Sequence, residues 1–229
     1  MFLLGHMCWA YVTGRLCSKA VRVPVNPYLL LLVGALPDID TIFVAVGIEH
    51  RTITHSLLFW ITLFMPIFIK YRKASIPYFI AAVQHLVMGD LIVGSTRFLW
   101  PLSSTKFGLG FSLVSLENIA IEIAGLVIFL IIVRFSGDMK LLFTTLKGNV
   151  LSIGPLIPVV IFLLFIAANT VYISEHILEE TRIDLSSKVE ARILSSTFLP
   201  VIAAGHLTLA SFLVISLTQG IRAVYRPRL

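Results

Sequence analysis

Seven side chains able to bind a metal ion lie inside or at the ends of apolar stretches in the first 90 positions: His6, Asp38, Asp40, His50, His55, His85 and Asp90. An ionisable group in hydrocarbon costs about 2.5–3.5 kcal/mol at mid-helix on insertion scales, so such residues default to functional roles. A cation converts that cost into bonds, because carboxylate and imidazole are ligands for zinc and related metals. The pattern reads as a membrane protein built around a polar, metal-binding centre.

Three short strings carry the chemistry. Pro37-Asp38-Ile39-Asp40 interrupts an apolar run. Proline removes a backbone donor and restricts the residue before it, so a kink or unwound turn is expected. Two carboxylates two residues apart diverge on an ideal helix, but a loosened turn can aim both at one ion. Broken helix inside a membrane is tolerated where it lines a cavity or is buried in protein.

The second string is His50-Arg51-Thr52-Ile53-Thr54-His55-Ser56. Its histidines are five apart and need a loop or turn to share a site. Thr54 or Ser56 can cap the following helix and so fix His55 at its first turn. Arg51 suits the clamping of a phosphate or carboxylate. The third string, His85-Leu86-Val87-Met88-Gly89-Asp90, has a spacing that does not share one α-helical face unless Gly89 marks a bulge. His85 reads as a ligand, and Asp90 as a ligand or as the partner that orients an imidazole.

Other positions are weaker. Glu122 lies mid-span and reads as a general base, a ligand or a hydrogen-bonded structural acid. Glu117 and Asn118 read as interfacial, His206 as intramembrane and His176 as plain surface. Cys8 and Cys17 form no CxxC pair and read as apolar thiols.

The elements that must position these residues are membrane helices. The chain has 229 residues, 58% hydrophobic and 13% charged, where soluble chains carry about 25% charged residues. Its mean hydropathy is +0.96. The expected fold class is all-α, a polytopic transmembrane helix bundle forming one integral membrane domain over 1–229. Six candidate spans cover 28–47, 56–70, 76–95, 113–133, 151–173 and 198–217, preceded by a short membrane helix at 1–14. Segment 174–197 is polar and amphipathic, and no internal repeat is visible. The amino-terminal run lacks a basic region and a small-residue cleavage site, which argues against a cleaved signal peptide.

The net charge of +6 does not point to nucleic acid, because the basic residues sit in short clusters between spans. Twelve of the eighteen fall on one side: Arg15, Lys19, Arg22, Lys70, Arg72, Lys73, Arg134, Lys140, Lys147, Arg222, Arg226 and Arg228. The positive-inside tendency makes that side, and the C-terminus, cytoplasmic. At 1.5 Å rise per residue, His6 and His85 then lie about 13–15 Å above the cytoplasmic ends, and Asp38, Asp40 and Glu122 about 16–20 Å. Asp90, His55 and His206 lie about 20–22 Å up on the same count. Residues scattered in sequence converge on one slab, and the site is expected to open outward.

An early Gly5-His6, then Leu36-Pro37-Asp38-Ile39-Asp40, His50-Arg51-x-x-Thr54-His55-Ser56, an intramembrane His85 with a following Asp90, and Trp100-Pro101-Leu102-Ser103 together carry a resemblance. The chain resembles the predicted inner-membrane metal-dependent hydrolases, also described as LexA-regulated or LexA-binding membrane hydrolases, over about residues 1–105. The resemblance implies a metal hydrolase embedded in the membrane, its site carried onto His6, Asp38, Asp40, His50, His55, His85 and Asp90. The last pair departs from the family's His-x-x-x-Asp spacing by one extra residue.

The leading expectation is a hydrolase acting on a lipid ester or phosphodiester, with a divalent metal (zinc first, then manganese or iron) activating water. Asp40, Asp90 or Glu122 would accept the proton, and Arg51 would hold a negative head group. Membrane lipids are the expected partners. Two alternatives use the same residues: a metal-ion transporter or channel, and a non-catalytic protein whose bundle is stapled by metal.

Overall fold

The computed structural model describes residues 1–40, 51–111 and 115–139, with isolated positions 157, 161 and 204. Five α-helices carry the described part: α1 (Leu3–Val21), α2 (Pro27–Ala35), α3 (Leu57–Tyr71), α4 (Ile76–Gln84) and α5 (Leu116–Ser136). A π-helical segment, His85–Val93, continues α4. Among the described residues there is no strand, only an isolated antiparallel bridge between Thr96 and Phe107. Apart from those isolated positions, the expected spans at 151–173 and 198–217, the segment 174–197 and the residues His50, His176 and His206 lie outside the described residues.

Local sequence explains where the helices start. Asn26 stands before Pro27, and its side-chain oxygen accepts from the backbone N–H of Tyr28 (2.9 Å) and Leu29 (3.2 Å). Proline at the first helical position loses nothing, because that N–H has no partner in the helix. Of the two capping residues the sequence offers before α3, Ser56 does the capping, accepting from Leu58 N–H at 3.2 Å. Ser115 does the same for α5 through Asn118 N–H at 3.3 Å.

Helix α1 runs on to Val21, past the expected end at 14 and through Arg15 and Lys19. Hydropathy breaks the run at Arg15, but that charge is neutralised: its guanidinium lies 2.8 Å from Asp138 Oδ1 beyond the end of α5. A partner 123 residues away is invisible to a local window.

Contacts along α1 set the topology. Gly5 with Glu122, Tyr11 with Phe129, and Arg15 with Asp138 advance together along the chain, so α5 lies parallel to α1. Gly34 approaches the backbone of His6 and Met7, so α2 returns antiparallel to α1. The packed Gly14 meets Pro77 and Ala81 while His6 meets Gly89, which makes α4 and its π extension antiparallel to α1 as well. Helix α1 is thus the axis on which α2, α4 and α5 pack, and its buried Met7, Cys8, Ala10 and Tyr11 form the middle of the core with Leu30, Leu31, Ala81 and Leu86.

Among the described residues, two helical runs are long and apolar enough to cross a membrane, Leu57–Val93 and Leu116–Ser136. The first is a hairpin. The rings of Phe64 and Phe79 are 5.4 Å apart, whereas fifteen residues of straight helix would separate them by about 22 Å. Arg72, at φ 54°, makes the reversal between α3 and α4.

Candidate metal centre

Four elements deliver the polar residues to one end of the bundle. His6 comes from the first turns of α1, where its ring is buried. The run after α2 is interrupted at Pro37 as expected, but by a tighter 3-10 turn over 36–40 and not an unwound one, and this turn carries Asp38 and Asp40. The loop 51–56 supplies Arg51 and His55, and the π segment supplies His85 and Asp90.

The π segment resolves the awkward spacing of the third string. On an α-helix His85 and Asp90 would point about 140° apart. Hydrogen bonding from i to i+5 widens the turn and brings residues five apart towards one face; such segments recur at functional sites. Gly89, between them, makes room for a ring, since a Cβ there would collide with the His6 imidazole. The glycine of the motif serves a close approach, and the His6 and His85 rings stack at 3.6 Å.

Three imidazoles converge on one carboxylate. Asp38 Oδ1 lies 3.4 Å from His85 Nε2 and 3.5 Å from His55 Nε2, and Asp38 Oδ2 lies 4.0 Å from His6 Nε2. The imidazole side chains are 0–3% exposed and Asp38 is 17% exposed, so the carboxylate marks the opening. His85 Nδ1 is 2.8 Å from the carbonyl oxygen of Gly34. A carbonyl only accepts, so Nδ1 carries a proton and Nε2 is the ring atom left to face Asp38 and to bind an ion there. The carbonyl is available because α2 ends at Ala35, leaving its last acceptors without helical donors.

This arrangement suits a cation. Ligands about 2.0–2.1 Å from a tetrahedral zinc stand about 3.3–3.4 Å from one another, near the observed spacings. Buried nitrogens without a hydrogen bond, His6 Nδ1 and His85 Nε2 among them, are otherwise expensive in an apolar interior. Two groups of donors have the required proximity: His6, Asp38 and His85, and His55, His85 and Asp90.

The remaining site residues are placed differently. Asp40 is buried and accepts from the backbone N–H of Arg51 at 3.0 Å, so the two carboxylates of the 3-10 turn have separate partners. Arg51 Nε lies 3.4 Å from Asp90 Oδ1, and His55 Nδ1 lies 3.5 Å from Asp90 Oδ2. Glu122 sits beside the start of α1, where its carboxylate accepts from the backbone N–H of Phe2 and Gly5. It caps from a neighbouring helix the N–H groups that a helix start leaves without partners.

Sequence reading missed what pins the loop. Thr96 and Phe107 exchange two backbone hydrogen bonds at 2.9 Å, Leu57 N–H donates to Phe98 at 3.0 Å, and Ser56 Oγ donates to the Trp100 carbonyl. Trp60 Nε1 adds a bond to the Thr54 carbonyl at 2.7 Å. It also missed Asp138 as the partner of Arg15. The one signal available was an arginine inside an apolar helix with an acid following a later span.

The family model for the YdjM inner membrane protein matches residues 1–177. The chain belongs to the YdjM inner membrane protein family. Membership, with the two long apolar helical runs, makes this an inner membrane protein. The match to the YdjM family reaches past the described helices and beyond the 1–105 region that carried the sequence resemblance. No curated protein and no solved structure matches the chain.

Proposed function

We propose that this protein is a multi-pass, membrane-embedded, metal-dependent hydrolase of lipid esters or phosphodiesters, its C-terminus cytoplasmic. The observation that carries the reading is the approach of His85, His55 and His6 to Asp38 at 3.4, 3.5 and 4.0 Å, with all three rings buried. These four residues would hold the ion; imidazole and carboxylate donors suit zinc first, with manganese or iron as alternatives. A bound divalent cation supplies Lewis acidity and an acidified water.

The chain's own residues then divide the work. Asp38, the most exposed of the four, faces the entrance. The side chain of Arg51, 29% exposed, stands against Asp90 and offers its remaining N–H groups to a phosphate or carboxylate. Asp40, on the same 3-10 turn as Asp38, takes the proton. The buried rings keep bulk water away from the donors, and a substrate enters along the Asp38–Arg51 side.

One observation favours a second reading. Four protein donors is the count of a closed structural zinc site, which would make the ion a staple between α1, the turn after α2, the 51–56 loop and the π segment. Elemental analysis and lipid turnover by detergent-purified protein separate the two. For the hydrolase, wild type carries metal and cleaves a lipid ester or phosphodiester. Asp38→Ala loses both properties, while Asp40→Asn keeps the metal and loses turnover. Metal without turnover on any lipid class, with unfolding on chelation, would leave the staple.

A further inference from the structure

We propose that Asp90 is a positioning residue of this centre and not one of its ligands: held by Arg51, it orients the His55 ring so that Nε2 faces Asp38. The inference rests on the metal-centre reading above and assigns one ion to the site.

The two candidate donor groups share His85. Its Nδ1 is committed to the Gly34 carbonyl, which leaves a single lone pair, on Nε2. One lone pair serves one ion, so the two groups cannot both be filled. The Asp38 group joins His6 and His85, and Asp38 Oδ1 also faces His55 Nε2 at 3.5 Å, whereas the other group would depend on Asp90.

His55 shows how Asp90 is used instead. The Nε2 edge of its ring faces Asp38 Oδ1 at 3.5 Å and the Nδ1 edge faces Asp90 Oδ2 at 3.5 Å. A carboxylate behind the far nitrogen of a ligating histidine fixes its tautomer and ring angle. His85 receives the same treatment from the Gly34 carbonyl. Each of these two rings therefore has a ligand edge toward Asp38 and an anchoring edge away from it.

Arg51 completes the chain of contacts. Its Nε stands 3.4 Å from the other Asp90 oxygen, so that carboxylate is charge-paired on one side and turned to His55 on the other. The placement is over-determined. Arg51 adopts φ 63°, uncommon for a residue with a Cβ, and its N–H is held by Asp40. A Cβ on Gly94 would strike the guanidinium, so the end of the π segment is cut to fit it. The inner edge of Arg51 thus belongs to the metal centre, and only its outer edge remains for a substrate anion.

The test is cobalt(II) and zinc binding to the full-length protein in detergent, read as stoichiometry, affinity by chelator competition and the cobalt absorption bands. Wild type should bind one equivalent. Asp90→Asn should also bind one equivalent with unchanged cobalt bands, its affinity lowered about 10–100-fold, the usual effect of removing such a partner. Arg51→Gln should move affinity the same way by less, again with unchanged bands; if Asp90→Asn does not fold, this variant carries the test. Two equivalents in wild type falling to one in Asp90→Asn, or altered bands in either variant, would overturn the proposal while leaving a metal centre in place. No binding by wild type would remove the metal centre itself, and this inference with it.

Discussion

Two buried polar clusters touch the same helix, about 13 Å apart along α1, and they are built differently. Around Arg15, the guanidinium meets Asp138 at 2.8 Å, the Tyr11 hydroxyl donates to Asp138 at 2.7 Å, and Ser136 lies 3.0 Å from Tyr11. Around His6, the nitrogens of three rings stop 3.4–4.0 Å short of Asp38. Both lie in an apolar bundle where a missed hydrogen bond is costly. The first cluster closes on itself because its task is to join α1 to the end of α5. The second gathers donors 3.4–4.0 Å from one carboxylate, and its residues come from four separate elements. Spacing, more than residue type, separates the two clusters.

The comparison can be broken at either end. The largest stability effect should come from Asp138→Ala, which strands the Arg15 guanidinium in the bundle. Removing one partner of a buried pair costs about 3–5 kcal/mol. Denaturation of the detergent-solubilised protein should show this loss, while the surviving folded fraction keeps its metal stoichiometry. Metal lost in proportion to Asp138 would mean that the two clusters are one unit.

A smaller effect is expected at the other end. Gly89→Ala raises helix propensity, yet its methyl group lands on the His6 ring. Overpacking of this kind costs about 1–3 kcal/mol. We expect lower thermal stability and weaker metal binding together, and an Ala variant with wild-type metal affinity would show that His6 is not held against the π segment. The smallest effect belongs to a cap remote from both clusters. Asn26→Ala should cost about 1 kcal/mol through loss of the α2 N-cap, leaving metal affinity unchanged; a shift in affinity would mean that the Asp38 turn depends on how α2 begins.

Much of this was legible before any coordinates. The break at Pro37, the cap at Ser56 and the membrane character follow from local rules: proline withholds a donor, a serine oxygen accepts one, and apolar runs seek hydrocarbon. The site was legible as a set of costly residues, because a histidine or aspartate within an apolar stretch has to be compensated somewhere. The helix limits were less so. A hydropathy window ends α1 at 14 because it cannot see Asp138, whereas the helix runs to Val21.

That His6, Asp38, His55 and His85 need partners is already dictated by their place in apolar runs, since burying imidazole and carboxylate there without them is prohibitive. Which partners they have depends on how the helices pack. That packing put Glu122 at the start of α1 as a cap, turned Asp40 to the Arg51 backbone, and used a π segment to swing Asp90 behind His55. The physical reason is range. Caps, breaks and hydropathy act within a few residues, whereas three nitrogens reach one carboxylate only when four elements pack in register.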